Sequence, residues 1–146
     1  MAGSYSKNMK KIKFKIENNR IGLIGEMLVM AELLLHGFNP AKSYFDNGID
    51  IILQNGLKIQ VKTSIYREIP GRIHFCVTKG NDKLKIKLSN YVDFLICVTL
   101  PERNFYIIPC KELKIKATIS ISNKSKYNKY LNNWDLLKRW EVTPKI

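Results

Sequence analysis

The chain has no apolar run approaching the ~18 residues that a membrane-crossing helix needs, and its N-terminus has no signal-type apolar stretch. A soluble, cytoplasmic protein is expected. Cysteine is scarce: Cys76, Cys97 and Cys110 make an odd three without metal-type spacing. Two of them fall in strand-like apolar runs, so buried thiols in a reducing compartment are expected rather than disulfides or a zinc site. Histidine is limited to His36 and His74. Neither has a partner at ligand spacing, and both read as structural. No repeat or linker divides the chain, and 146 residues at 45% hydrophobic suffice for one compact core and not for two. Residues 1–9 carry no fold signal and read as a disordered or appended N-terminus, leaving 10–146 as a single domain.

Negative charge is the remaining shortage. Twelve Asp and Glu stand against 25 Lys and Arg, for a net charge of +13, which favours nucleic acid or an anionic membrane over an acidic small molecule. The positive charge gathers in residues 7–20, 79–87 and 111–129, whereas the stretch holding Glu26, Glu32, Asp46 and Asp50 is net acidic. An acidic spot in a basic envelope suits a metal ion together with a polyanion. Phosphate contacts from such segments give affinity without sequence reading. Lys11, Lys13, Lys15 and Arg20 are candidates for these contacts, and Tyr66, Arg67 and Arg72 for groove contacts. The alternative is that these side chains are solvated faces and an ordinary loop.

Residues 49–62 alternate as two short strands around Asn55-Gly56, with Ile49, Ile51 and Leu53 on one and Leu57, Ile59 and Val61 on the other. A two-residue Asn-Gly turn would place Asp50 opposite Val61, on the other face from Gln60 and Lys62. A three-residue loop, Gln54-Asn55-Gly56 with Gly56 left-handed, instead pairs Leu53 with Leu57, Ile51 with Ile59 and Asp50 with Gln60. Burial of the apolar face selects the second register, and it brings Asp50, Gln60 and Lys62 together. An acid on one strand, with an oxygen donor and a lysine two apart on the next, can hold Mg²⁺ and steady a phosphate under attack.

Upstream, residues 18–36 have helical spacing, with Ile21, Ile24, Leu28, Ala31 and Leu35 in one stripe and Gly37 as the C-terminal stop. Met27, Met30, Leu33 and Leu34 extend the apolar surface nearly all round, so a buried helix is expected. Glu26 lies in that helix. A buried carboxylate needs a partner, and a divalent cation is one of the few adequate ones; a salt bridge is the other reading. Glu32 lies about 120° round the helix from Glu26, so the two acids do not face one site.

Gly22-x-x-Gly25-Glu26 on a helix, Gly48-x-Asp50 and Gln60-x-Lys62-Thr-Ser, in this order, resemble the PD-(D/E)XK nuclease superfamily. The likeness is closest to intron-encoded homing endonucleases with Gln-x-Lys, and archaeal-type Holliday-junction resolvases come next. It extends through Asp93-Phe-Leu-Ile-Cys-Val, Phe105-Tyr-Ile-Ile-Pro109 and Tyr130…Trp134-Asp-Leu-Leu. It implies a restriction-endonuclease-like α/β core, a mixed central sheet flanked by helices. The implied activity is Mg²⁺-dependent phosphodiester hydrolysis, with Mn²⁺ able to substitute. By position, Glu26, Asp50, Gln60 and Lys62 would be catalytic, with Glu26 and Asp50 as metal-binding acids, Gln60 an uncharged donor to the metal, and Lys62 the catalytic lysine. An amide at Gln60 brings no charge and cannot act as a base, which weakens the metal site relative to three carboxylates.

Three functions follow: a DNA endonuclease cutting both strands as a homodimer or tetramer, a Holliday-junction resolvase, and a non-catalytic nucleic-acid-binding protein on a degenerate nuclease fold. The remaining chain reads as strands at 72–78, 93–100 and 105–108 extending the sheet and a further strand at 116–122. The run 83–88 also alternates like a strand, with a short helical turn at 89–92. Tyr127, Tyr130, Trp134, Leu137 and Trp140 recur at helical spacing to the C-terminus, an aromatic stripe read as core or subunit interface rather than a base-stacking platform.

Overall fold

A computed structural model describes residues 16–44, 48–65, 73–76, 88–113 and 118–140. Helix α1 spans Asn18–Leu35, with Glu17 extended at its start and His36 at its C-cap. Gly37 follows at φ +85°, a left-handed stop that glycine takes without a Cβ penalty. The strands are β1 (Ala41–Lys42), β2 (Ile51–Ile52), β3 (Lys58–Ile65), β4 (Ile73–Cys76), β5 (Phe94–Leu100), β6 (Asn104–Pro109) and β7 (Thr118–Ile121). A short helix α2, Asp135–Arg139, closes the described chain. Five strands form a mixed sheet in the order β1-β2-β3-β5-β6, with β3 and β5 parallel and every other pair antiparallel. None of the described helices is long and apolar enough to cross a membrane.

The β2–β3 turn takes the three-residue register. Ile51 pairs with Ile59 and Ile52 with Lys58, and the Leu53 N–H donates to the Leu57 carbonyl at 2.9 Å. Gly56 is left-handed at φ +85°, while Asn55 Oδ1 accepts from the Leu57 N–H at 3.1 Å. Turn chemistry and apolar burial therefore agree.

The sheet has a core on each face. Under α1, Val29 and Leu33 meet Ile51, Ile59, Val61, Phe94, Ile96 and Val98. On the other face, Leu95, Cys97, Tyr106 and Ile108 meet Phe75, Ile119, Ile121, Tyr127 and Tyr130. With both faces covered, β5 is a continuous buried run from Phe94 to Thr99, as a central strand with a parallel neighbour requires. Buried Asp93 fastens one end of this sheet. Its N–H donates to the Lys58 carbonyl (2.8 Å), its carbonyl accepts from the Cys110 N–H (2.9 Å), and its Oδ2 accepts from the Lys58 N–H (2.9 Å).

Four expectations are corrected. Helix α1 is buried along one stripe, Gly25, Val29 and Leu33, and not all round; Leu23, Met27, Leu34 and Leu35 are exposed, because the sheet meets only one side of the helix. The expected stripe through Ala31 and Leu35 is therefore on the wrong side. Strand β4 does not extend the main sheet but pairs antiparallel with β7 in a two-stranded sheet covering the second core. The C-terminal aromatics do not form one helix. A 3-10 segment, Lys126–Tyr130, stops where Asn132 turns to φ +52° and its N–H donates to the Phe105 carbonyl (2.6 Å). Tyr127, Tyr130 and Trp134 are core residues, and α2 begins after this break. Finally, Ile49 packs on the second core although Ile51, two residues on, packs under α1. The run 83–88 and the N-terminal segment 1–9 lie outside the described residues; a 3-10 turn at Leu88–Asn90 overlaps the expected helical turn.

Burial pushes the Cys97 thiol well above the ordinary range, with neighbouring Cys110 adding to the rise and Lys62 opposing it. Cys97 and Cys110 are thus buried thiols that act as small hydrophobes. Gly25 has a stricter role. A Cβ there would collide with Thr63 Oγ1 and lie 2.8 Å from Thr63 Cβ. Replacing Gly25 with Ala is expected to lower stability by about 1–3 kcal/mol through overpacking, with Thr63→Ala restoring part of the loss in a double-mutant cycle followed by urea unfolding. Gly56→Ala meets no atom within 4 Å, so its cost should be the left-handed backbone alone, about 1 kcal/mol in the same assay.

Candidate functional site

Strand β3 separates its side chains cleanly. Ile59 and Val61 face α1, and their partners across the parallel ladder are Phe94 and Ile96; Gln60 and Lys62 face the other way, beside Leu95 and Cys97. The pull of Lys62 on the Cys97 thiol is the electrostatic trace of this placement.

Asp50 sits where β2 departs from β3. Its N–H donates to the Ile59 carbonyl at 2.9 Å, although Ile59 is already the ladder partner of Ile51. Two successive residues thus oppose one, as in a β-bulge, which re-aims side chains and ends pairing. The bulge explains why Ile49 and Ile51 belong to different cores. It also corrects the expected pair of Asp50 with Gln60, which is not made in the ladder. The next donor of β3, the Val61 N–H, goes to Asp50 Oδ2 at 2.7 Å. A strand N–H lies near the plane of its sheet, so the carboxylate is held at the boundary between the two faces, against the peptide that joins Gln60 to Val61.

Glu26 approaches from α1. The missing Cβ at Gly25 seats the helix on Thr63, and the next residue carries the acid toward β1. Its Oε2 lies 3.4 Å from Lys42 Nζ, and the Glu26 side chain is 23% exposed. The premise of a fully buried, unpaired acid is corrected: Glu26 is half-buried and holds a lysine. Glu26 and Asp50 line one open cleft of about 440 Å³, with Asn19, Gly22, Lys42 and Ser43 among its other walls. Glu32 faces elsewhere, pairing with His36 at 3.8 Å, and the His36 ring stacks on Trp134. His74 Nδ1 lies 2.7 Å from the Ser120 hydroxyl across the β4–β7 ribbon.

The four expected site residues therefore divide into two pairs. Glu26 and Asp50 share the cleft, whereas Gln60 and Lys62 stand on the adjoining strand and do not line it. What links the pairs is the bond from the Val61 N–H to Asp50. No three His, Cys, Asp or Glu come together among the described residues. Among the described residues, the buried oxygens Gln60 Oε1, Thr63 Oγ1 and Thr99 Oγ1 have no hydrogen-bond partner, and an orphaned acceptor of this kind costs about 1–3 kcal/mol unless something satisfies it. A hard cation is served by two carboxylates and one amide oxygen.

Arg20 is exposed in the first turn of α1 and does not line the cleft. Lys11, Lys13, Lys15, Tyr66, Arg67 and Arg72 lie outside the described residues. Sequence reading missed Lys42, which no spacing marks, and Asp93, whose clamp depends on three strands meeting. Thr63 could have been found: a small residue beside a Gly-Glu helix pair is the signal for close helix–strand contact.

No family model matches this sequence, and no curated protein matches it. The fold has a counterpart among solved structures. A bacterial homing endonuclease, I-Ssp6803I, matches with a TM-score of 0.67 at 19% identity, over 84% of this chain and 93% of that one. At this level of identity the shared property is the fold, a mixed sheet flanked by helices in a nuclease-like α/β core.

Proposed function

We propose that this chain is a Mg²⁺-dependent DNA endonuclease of the PD-(D/E)XK type, cutting both strands as a homodimer or tetramer. The observation that carries the reading is Asp50. Its carboxylate is fixed by the Val61 N–H in one cleft with Glu26, one peptide away from an orphaned Gln60 amide and two residues before Lys62. A fold shared with a homing endonuclease and a net charge of +13 support the same reading.

Glu26, Asp50 and Gln60 would hold the Mg²⁺, which when bound supplies Lewis-acid chemistry at a phosphate oxygen and acidifies a nearby water. The chain's own residues do the rest. The backbone bond to Asp50 Oδ2 holds the carboxylate in place, the preorganisation on which electrostatic catalysis depends. Lys62, the lysine of the Gln-x-Lys motif, offsets charge developing on the pentavalent phosphate. Gln60 accepts no proton, so the water's proton leaves to solvent or to a neighbouring phosphate.

Asp50→Asn is the informative substitution, since its amide oxygen can keep the bond from Val61 while losing the charge. With Mg²⁺, Asp50→Asn and Lys62→Ala are each expected to cut linear duplex at least ~10²-fold more slowly than wild type. Both should retain the wild-type thermal melt, and binding by all three should weaken by more than about tenfold between 50 and 200 mM salt. Preferential cutting of a four-way junction would move the assignment to a resolvase. Wild type that binds both DNAs at low salt but cuts neither, with Mg²⁺ or Mn²⁺, sinks the enzyme reading in favour of a binding protein.

A further inference from the structure

The cleft contains a cation of its own. Lys42 comes from the edge strand β1, and its ammonium lies 3.4 Å from Glu26 Oε2, on the wall of the pocket that Asp50 also lines. It arrives there through the sheet. Lys42 pairs with Ile51, and the next residue, Ser43, donates its N–H to the Asp50 carbonyl at 2.9 Å. The bulge that aims Asp50 therefore also fixes the strand that brings Lys42 to Glu26. With half of the Lys42 side chain exposed and Glu26 only partly so, the lysine is the more accessible member of the pair.

We propose that Lys42 is a positioning residue: it holds Glu26 in the metal-free protein, is displaced when a divalent cation takes that carboxylate, and then turns its ammonium to the phosphate backbone at the rim of the cleft. This rests on the nuclease reading. Two cations cannot both sit on one half-buried carboxylate without repulsion, so a divalent ion must displace Lys42 to engage Glu26 fully. Displacement leaves Lys42 tethered beside the cleft without its Glu26 partner, and a phosphodiester is the anion such a cleft would admit. Lys42 would thus lower metal affinity in the free protein and raise DNA affinity in the metal-loaded one.

Mn²⁺ binding to the full chain, followed by electron paramagnetic resonance without DNA, separates this proposal from its parent. Lys42→Met is expected to bind Mn²⁺ roughly two- to fivefold more tightly than wild type, the range of a partly exposed ion pair, whereas Lys42→Arg should stay near wild type. Duplex binding in Ca²⁺ should weaken for Lys42→Met, with its salt slope shallower by about one. As an exposed residue on an edge strand, Lys42 should be replaceable without loss of the thermal melt. Unchanged or weaker Mn²⁺ binding by Lys42→Met, with Asp50→Asn still abolishing it, overturns the role of Lys42 and leaves the nuclease reading intact. Wild-type Mn²⁺ binding that Asp50→Asn does not alter overturns both.

Discussion

Everything in this fold that concerns the cleft depends on how closely α1 can lie on β3. The tightest approach is at one position, where Gly25 presents no Cβ to Thr63. Any other residue would lift the helix, and Glu26, next in sequence, would rise with it. The hydrophobic stripe of Val29 and Leu33 continues the same contact line toward the helix C-terminus. One glycine thus sets both the packing distance of the first core and the depth at which an acid enters the cleft.

The second determinant is a ladder bond that the backbone does not make. Where β2 would continue beside β3, the bulge at Asp50 substitutes a side-chain carboxylate for a backbone carbonyl. A sheet normally spends its polar groups on itself. Here the strand end is open, but its donor is satisfied, so the site gains an oriented carboxylate without leaving a buried N–H unpaired. Gln60 is the counter-example, with its buried amide oxygen left without a partner.

Much of the architecture was legible in the residues because period and turn chemistry agreed. Asn55-Gly56 and the paired apolar faces selected the register of β2 on β3, and Gly37 marked the end of α1. The register that brings Asp50 beside Gln60 and Val61 was legible as well, but not the division of the candidate residues into two pairs. Alternation predicts faces for a regular strand, and the bulge breaks the alternation between Ile49 and Ile51, which local patterning has no means to register. The burial of α1 was overestimated for a similar reason: composition gives the apolar content of a helix, while the width of the sheet beneath decides how much of it is covered. Lys42 was invisible because its partner comes from another element.

Asp93 has a consequence for the placement of the β3 side chains that its burial alone does not convey. Side chains on a strand alternate, so a slip of one residue would exchange Gln60 and Lys62 for Val61. The bonds between Asp93 and both backbone groups of Lys58 set the zero from which positions along β3 are counted, and the Cys110 N–H ties β6 to the same mark. The lysine's place is therefore decided four residues upstream, by a carboxylate that does not line the cleft. In a protein with a net charge of +13, the register of β3 is kept by one buried acidic residue.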